Sequence, residues 1–175
     1  LTTETIFEET HQPAKDFLGD VCRLWEESVF QFQQSNIRTV ALRTGIVLSN
    51  DGGALKKMKT PVVTPLGNGK QYMPWIHIDD MCLMYLKAIE DNSMEGVYNA
   101  VAPNHQTSTT FSKEVSKAFK RPFLPIGVPA FILKAVFGEM STLILNGSRV
   151  SSKKIEKSGF KFRYTKLKAA LENIN

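Results

Sequence analysis

No glycine-rich turn of the kind that lets a helix N-terminus cradle a dinucleotide phosphate is present. The 11 glycines nowhere form G-x-x-G-x-x-G or G-x-G-x-x-G after a strand, so these 175 residues build no such loop. Long apolar runs are absent too. None approaches the roughly 18 residues that cross a bilayer, and no membrane partner is expected. The start, Leu1-Thr-Thr-Glu-Thr, has neither the charged nor the apolar region of a secretory leader, and it lacks an initiator methionine, as expected of a piece of a longer protein. Cysteine is scarce. Cys22 and Cys82 fall at apolar positions of predicted helices and read as two buried free thiols, which places the protein in a reducing cytoplasm. Without further ligands they make no zinc site.

What is present suits one globular domain with a sizeable core: 42% of residues are hydrophobic and 22% charged. The net charge of +5 sits mainly after Lys153. There Phe160, Phe162 and Tyr164 alternate with Lys161 and Arg163. Rings between cations would suit a nucleic-acid platform. Plain period-two packing, rings inward and cations outward, explains the same pattern, so nucleic acid is not an expected partner.

Along the chain, residues 1–13 read as a loop. Asp16 can cap a helix whose stripe of Leu18, Val21, Leu24, Trp25 and Phe32 runs to about Gln34, with Asn36 as the breaker. Thr39 to Leu42 and Ile46 to Leu48 are β-prone, and Asn50-Asp-Gly-Gly53 is a turn. Lys56 to Thr60 begins a surface segment. Trp75 to Ile78 predicts a strand, and Asp79 an N-cap for a helix with Met81, Met84, Tyr85 and Ala88 on one face. Val97 to Val101 is the next strand. Thr109 or Thr110 can cap a helix bearing Phe111, Val115, Ala118 and Phe119. Helices are expected over Ala130 to Phe137, over Gly147 to Ser158, and from about Thr165 with Leu167, Leu171 and Ile174 inward. The order is α/β with a mostly helical tail.

Two stretches carry chemistry. In Arg43-Thr-Gly-Ile-Val-Leu48 a glycine interrupts a strand, either as a bulge or as a strand end where backbone meets ligand. In Gly67-Asn-Gly-Lys-Gln-Tyr-Met-Pro-Trp-Ile-His-Ile-Asp-Asp80 a glycine-rich turn delivers a short apolar strand into an acidic helix start. His77 is the acid/base candidate there. The plainer reading packs it beside the sheet with a hydrogen bond to the backbone. Asp79 and Asp80 read as a helix cap and a loop anchor rather than a catalytic pair. Their spacing with His77 matches no dedicated metal site, so no metal is expected. His11 and His105 lie in polar stretches and are expected to be exposed.

The second stretch resembles the G-x-G-x-Q-x-x-x-[FW]-I-H-[IV]-x-D segment of extended short-chain dehydrogenases/reductases. Further pieces narrow the resemblance to their atypical group of sugar-nucleotide epimerase homologues. These are Asp16-Phe-Leu18 through Trp25-Glu26, Leu42 to Leu48 with Gly52-Gly-Ala54, Tyr98 to Pro103, and Phe137-Gly-Glu-Met-Ser141, continued by Arg149-Val150 and Gly159 to Arg163. The resemblance implies the C-terminal part of a Rossmann-type extended fold. Residues 1–125 would be the substrate-side part of an NAD(P)-dependent epimerase/dehydratase-like domain, and 126–175 a small helical C-terminal domain. Roughly 110 to 120 N-terminal residues, with the phosphate turn, would be missing. The implied cofactor of the parent is NADP(H), with none held by this chain alone. Gly45, Ile46 and Val47 would meet the nicotinamide end through backbone groups, Val47 foremost. Gln71, Met73, Trp75 and His77 would line the substrate side.

Two departures bear on chemistry. The usual Tyr-x-x-x-Lys acid/base pair falls near Phe17 or Leu18 and at Cys22, which cannot transfer the proton. The arginine that often pairs with a sugar-nucleotide diphosphate is replaced by Met73. The implied function is therefore an NADP(H)-dependent oxidoreductase or nucleoside-diphosphate-sugar epimerase-like protein with a small-molecule substrate. The alternative is a dinucleotide-binding sensor or interaction module without turnover. Without the missing half, strand Thr39 to Leu42 would present an open edge, and homo-oligomers through it are expected.

Overall fold

The computed structural model describes residues 4–174, with the side chains of Phe137, Met140 and Ile144 excepted. The loop expected at residues 1–3 and the Phe137 and Met140 side chains of the resemblance lie outside the described residues. In chain order the elements are β1 (Ile6–Phe7), α1 (Phe17–Phe30), β2 (Val40–Thr44), β3 (Ile46–Leu48), α2 (Gly53–Met58), β4 (Trp75–His77), α3 (Ile78–Glu90) and β5 (Gly96–Ala100). Then follow α4 (Ser108–Ala118), α5 (Ala130–Phe137), α6 (Ser141–Leu145), β6 (Arg149–Val150), α7 (Lys153–Lys157) and α8 (Leu167–Ile174).

All three strand pairs are parallel. β2 runs beside β5 from Val40 opposite Gly96 to Thr44 opposite Ala100. β3 runs beside β4 with Ile46 opposite Trp75. The link from β2 to β5 passes through α2 and α3, the long crossover that parallel partners need. Gly45 is the pivot at which the chain changes partner. Its N–H donates to Ala100 O at 3.1 Å, and the next N–H, of Ile46, donates to Pro74 O at 2.7 Å. A Cβ on Gly45 would lie 2.8 Å from Pro74 O and 3.0 Å from Val101 Cγ1. Close backbone approach, rather than unusual torsion, demands glycine there.

Two apolar cores flank the strands. One gathers Leu48, Leu55, Trp75, Phe111 and Val115 with Leu167, Leu171 and Ile174 of α8. The other gathers Ile76, Met81, Met84 and Tyr98 with Ile155 and Phe160. The C-terminal segment thus enters both. Arg38 ties β2 to the end of α3: its guanidinium donates to the carbonyls of Ala88, Ile89 and Met94 at 2.7–3.1 Å, which caps the helix C-terminus with positive charge.

Helix α1 begins as expected, with the Asp16 carboxylate accepting from Gly19 N–H at 2.8 Å. A 3-10 turn, Gln31–Ser35, then ends at Asn36 in the left-handed conformation. No residue of α1 is buried. Several expectations are corrected. Cys22 and Cys82 are exposed, not buried. Cys22 lies on α1, where the described residues half-bury Leu18, Val21 and Phe30 but leave Leu24, Trp25 and Val29 exposed. Cys82 shares the outer side of α3 with exposed Leu86 and Ile89, opposite buried Met81 and Met84.

The helix expected over residues 147–158 is a strand, β6, followed by the short α7. β6 pairs with β1, Ile6 opposite Arg149, in a stretch expected to be loop. That pairing joins residues far apart in sequence, where local periodicity carries no signal. Two helix starts move upstream. His77 caps α3, and Thr107 caps α4 in a reciprocal box with Thr110. The surface segment expected from Lys56 to Thr60 starts inside a helix, α2, whose Leu55 is buried in the first core. The ring alternation after Gly159 does face inward at Phe160, which is buried, while Lys161 and Arg163 are exposed.

Candidate functional site

Gly67 and Gly69 take positive φ, 56° and 74°, and turn the chain sharply before β4. Gln71 braces this turn. Its side-chain N–H₂ donates to Leu66 O at 2.9 Å, and the residue is buried. Met73 and Trp75 follow into the core, Trp75 with its indole N–H on Asn104 O at 2.8 Å. The four residues expected on the substrate side therefore lie on one segment but are all buried: Gln71 at 1%, Met73 at 6%, Trp75 at 0% and His77 at 1% exposure.

His77 ends β4 and caps α3. Its Nδ1 accepts from Asp79 N–H at 3.1 Å, which puts the ring proton of the neutral form on Nε2. Nε2 makes no hydrogen bond, and Asn173 of α8 is the polar side chain that weakly favours its charged form. The ring packs on Tyr164, centroids 3.9 Å apart and tilted by 31°. Burial pushes the imidazole below its ordinary 6.5, against the opposing pull of Asp79 and Asp80. The ring is thus a neutral, enclosed capping group. Asp80 is fully buried and accepts the N–H groups of Arg163 at 2.8 Å and Tyr164 at 3.0 Å. It anchors the C-terminal segment to α3. Asp79 is half exposed in the first turn and leaves the capping to His77.

Gly45, Ile46 and Val47 sit just past the carboxyl end of β2, the rim at which open α/β sheets hold ligands. The amides of Gly45 and Ile46 are engaged within the chain. Gly45 and Ile46 can therefore offer a ligand no amide donor.

Beyond the ends of β2 and β5, next to Gly45, lies a narrow cleft. Tyr72, Pro74, Val101, His105, Gln106 and Arg149 line it. The Arg149 guanidinium carbon sits 5.7 Å from the centre of the Tyr72 ring, and His105 meets the same ring edge-on at 6.5 Å. His105 is half-buried, not exposed as expected. Burial, then the charge of Arg149, lowers its pKa below the ordinary value. Sequence reasoning missed this grouping, because β6 brings Arg149 to Tyr72 only through tertiary pairing. Among the described residues, no cluster of His, Cys, Asp and Glu could hold a metal ion, and no helix is long and apolar enough to cross a membrane.

Known proteins share this fold. Residues 128–174 match the family model described as Domain of unknown function (DUF1731). An epimerase family protein of Staphylococcus aureus is 38% identical over 163 residues, 91% of this chain and 54% of that protein. The chloroplastic SDR39U1 homologue of Arabidopsis thaliana, also an epimerase family protein, is 37% identical over 99% of the chain and 51% of its own length. The crystal structure of human epimerase family protein SDR39U1 (isoform 2) with NADPH superposes with a TM-score of 0.89 at 31% identity, over 98% of this chain and 59% of that one. A nucleoside-diphosphate sugar epimerase from Corynebacterium glutamicum gives 0.74 at 27% identity, over 98% and 33%.

The class is therefore the Rossmann-type α/β fold of epimerases and short-chain dehydrogenases/reductases. Within it, the chain is a homologue of the epimerase family proteins and corresponds to their C-terminal part, with the DUF1731 region at its end. It spans about half the length of the relatives it matches.

Proposed function

We propose that this chain is the substrate-side part of an NADP(H)-dependent, epimerase-like oxidoreductase that acts on a small molecule in the cytoplasm. In this reading, residues outside these 175 hold the dinucleotide phosphates. The observation that carries it is the superposition over 98% of the chain on a human protein crystallised with NADPH, of which the chain accounts for 59%. Ile46 and Val47, with the Gly45 carbonyl, would flank the nicotinamide end. The N-terminal half of such a protein would cover the uncovered face of α1 and the second edge of β2.

A second reading, dinucleotide binding without turnover, draws on two observations. His77 is sealed and committed as a cap. The positions where a tyrosine-lysine pair is usual hold exposed Phe17 or half-buried Leu18, and exposed Cys22. One experiment tests both readings. The protein encoded by the whole reading frame is purified and assayed for co-purified NADP(H), then for NADPH oxidation against a carbonyl library. Bound dinucleotide with turnover supports the first reading, and bound dinucleotide without turnover the second. Absence of dinucleotide, or micromolar NADPH binding by the 175-residue chain alone, overturns the division of labour.

A further inference from the structure

We propose that the cleft beside Arg149 binds the oxyanion end of a small molecule, a carboxylate or a phosphate group, with Arg149 as its principal contact. This goes beyond the cofactor reading and holds whether or not the protein turns over NADPH.

Charge is the first argument. Arg149 makes no ion pair among the described residues, unlike Arg23 and Arg43, which grip Glu27 and Glu26 at 2.7 Å. No carboxylate lines the cleft. The Nε of Arg149 is buried with no hydrogen-bond partner. A buried guanidinium donor left without an acceptor is costly, and a site that retains one is complete only when an acceptor arrives. The planar fork of arginine matches both carboxylate and phosphate in bidentate fashion.

Placement is the second argument. The cleft opens at the carboxyl ends of β2 and β5, where this class of fold gathers ligands. The cation is also held in place. A Cβ on Gly147 would lie 1.8 Å from Tyr72 O, and Tyr72 N–H donates to Gly147 O at 3.3 Å. That contact fixes the backbone two residues before Arg149. The β1–β6 pairing, Ile6 opposite Arg149, fixes it from the other side. Tyr72 sets its ring face against the guanidinium, and His105 meets that ring edge-on. Burial and the neighbouring arginine keep His105 neutral near pH 7, so it can share a hydrogen bond without adding charge. As it stands the cleft is too tight to admit even a water molecule. The ring of Tyr72 must swing aside for a terminal anionic group to settle against the guanidinium, and a whole nucleotide does not fit.

The test reads the Arg149 Nε–H signal by NMR in the 175-residue chain, without dinucleotide, during titration with inorganic phosphate and separately with malonate. A saturable shift is expected, and the stronger of the two probes tells phosphate from carboxylate. Arg149→Gln should weaken binding, read on the Tyr72 and His105 amides, by at least about ten-fold, while Lys161→Gln, an exposed cation elsewhere, leaves it unchanged. Equal binding by both variants, or no saturable shift with either probe, overturns the proposal. If Arg149→Gln fails to fold, Arg149→Lys decides. It keeps the charge and loses the fork, so affinity should fall, and undiminished affinity overturns the bidentate site.

Discussion

Helices α1 and α8 are both amphipathic, yet one buries none of its 14 residues and the other buries Leu167, Ala170, Leu171 and Ile174 out of 8. α8 lies against α4 and β3 and completes a core with Trp75 and Phe111. α1 leaves Phe17, Leu24, Trp25 and Val29 exposed, Trp25 at 70%. β2, its neighbour in sequence, pairs only with β5 among the described residues. An apolar stripe states that a face needs cover. It does not state what covers it. For α8 the cover is this chain, whereas the described residues leave most of the α1 stripe open.

The contrast is sharpest between the two tryptophans. Trp75→Ala should lower unfolding free energy by about 4 kcal/mol, because it empties a closed site and frees a bonded carbonyl. Trp25→Ala should change it by no more than about 0.5 kcal/mol. Urea titrations of both variants measure this, and equal losses would break the comparison. Next in size is Asp80→Ala, which removes the buried acceptor of the Arg163 and Tyr164 N–H groups and should cost about 1–3 kcal/mol. Asp79→Ala, on the exposed side of the same turn, should cost only a few tenths, about the scale of a surface change.

Acid should act mainly on the packed side. Burial lowers the pKa of His77 in the folded chain, so the unfolded chain binds its proton more readily. The associated stability is fully present above the ordinary 6.5 and is lost as pH falls below it. His105, lowered by burial and by Arg149, adds to the same fall. His77→Gln should cost about 1 kcal/mol at neutral pH through the lost cap, and should flatten the decline between neutral and mildly acidic pH. An unchanged slope in thermal melts across that range would show that His77 is not the titrating group. The smallest effect on fold stability belongs to the open flank, where association is expected instead. Light scattering should show mass rising with concentration, through the β2 edge or the α1 face, and Trp25→Glu should return it toward a monomer. A monomeric mass for the unaltered chain at high concentration would show that the flank is covered from within.

Much of the strand and helix framework was legible because it is local. The Asp16 cap, the Asn36 stop, the β-prone runs around Gly45 and the stripe of the last helix each lie within a few residues of one another. Cap positions slipped by two residues where a more distant acceptor served better, as when the His77 imidazole took the Asp79 amide. Residues 147–158 misled because their helical composition is overridden by pairing with β1, whose partner residues stand more than a hundred positions away. The site was harder still. Gln71, Met73 and Trp75 are read correctly as one segment, but a linear pattern cannot say which side of that segment faces the core. His105 and Arg149 lie more than forty residues apart and meet only across the Tyr72 ring.

By itself the sequence determined the α/β class, the motif segment that delivers β4, and the absence of a glycine-rich phosphate loop from these residues. Each of these follows from short-range sterics: turn chemistry, period-two and helical patterning, and the need for glycine where backbones touch. Tertiary structure alone decided that His77 is sealed, that Asp80 anchors the tail, that α1 stays largely exposed, and that Arg149, without an ion pair among the described residues, closes a cleft at the strand ends. Those outcomes depend on which distant surfaces meet, because burial and electrostatics are properties of the assembled neighbourhood and not of any one residue.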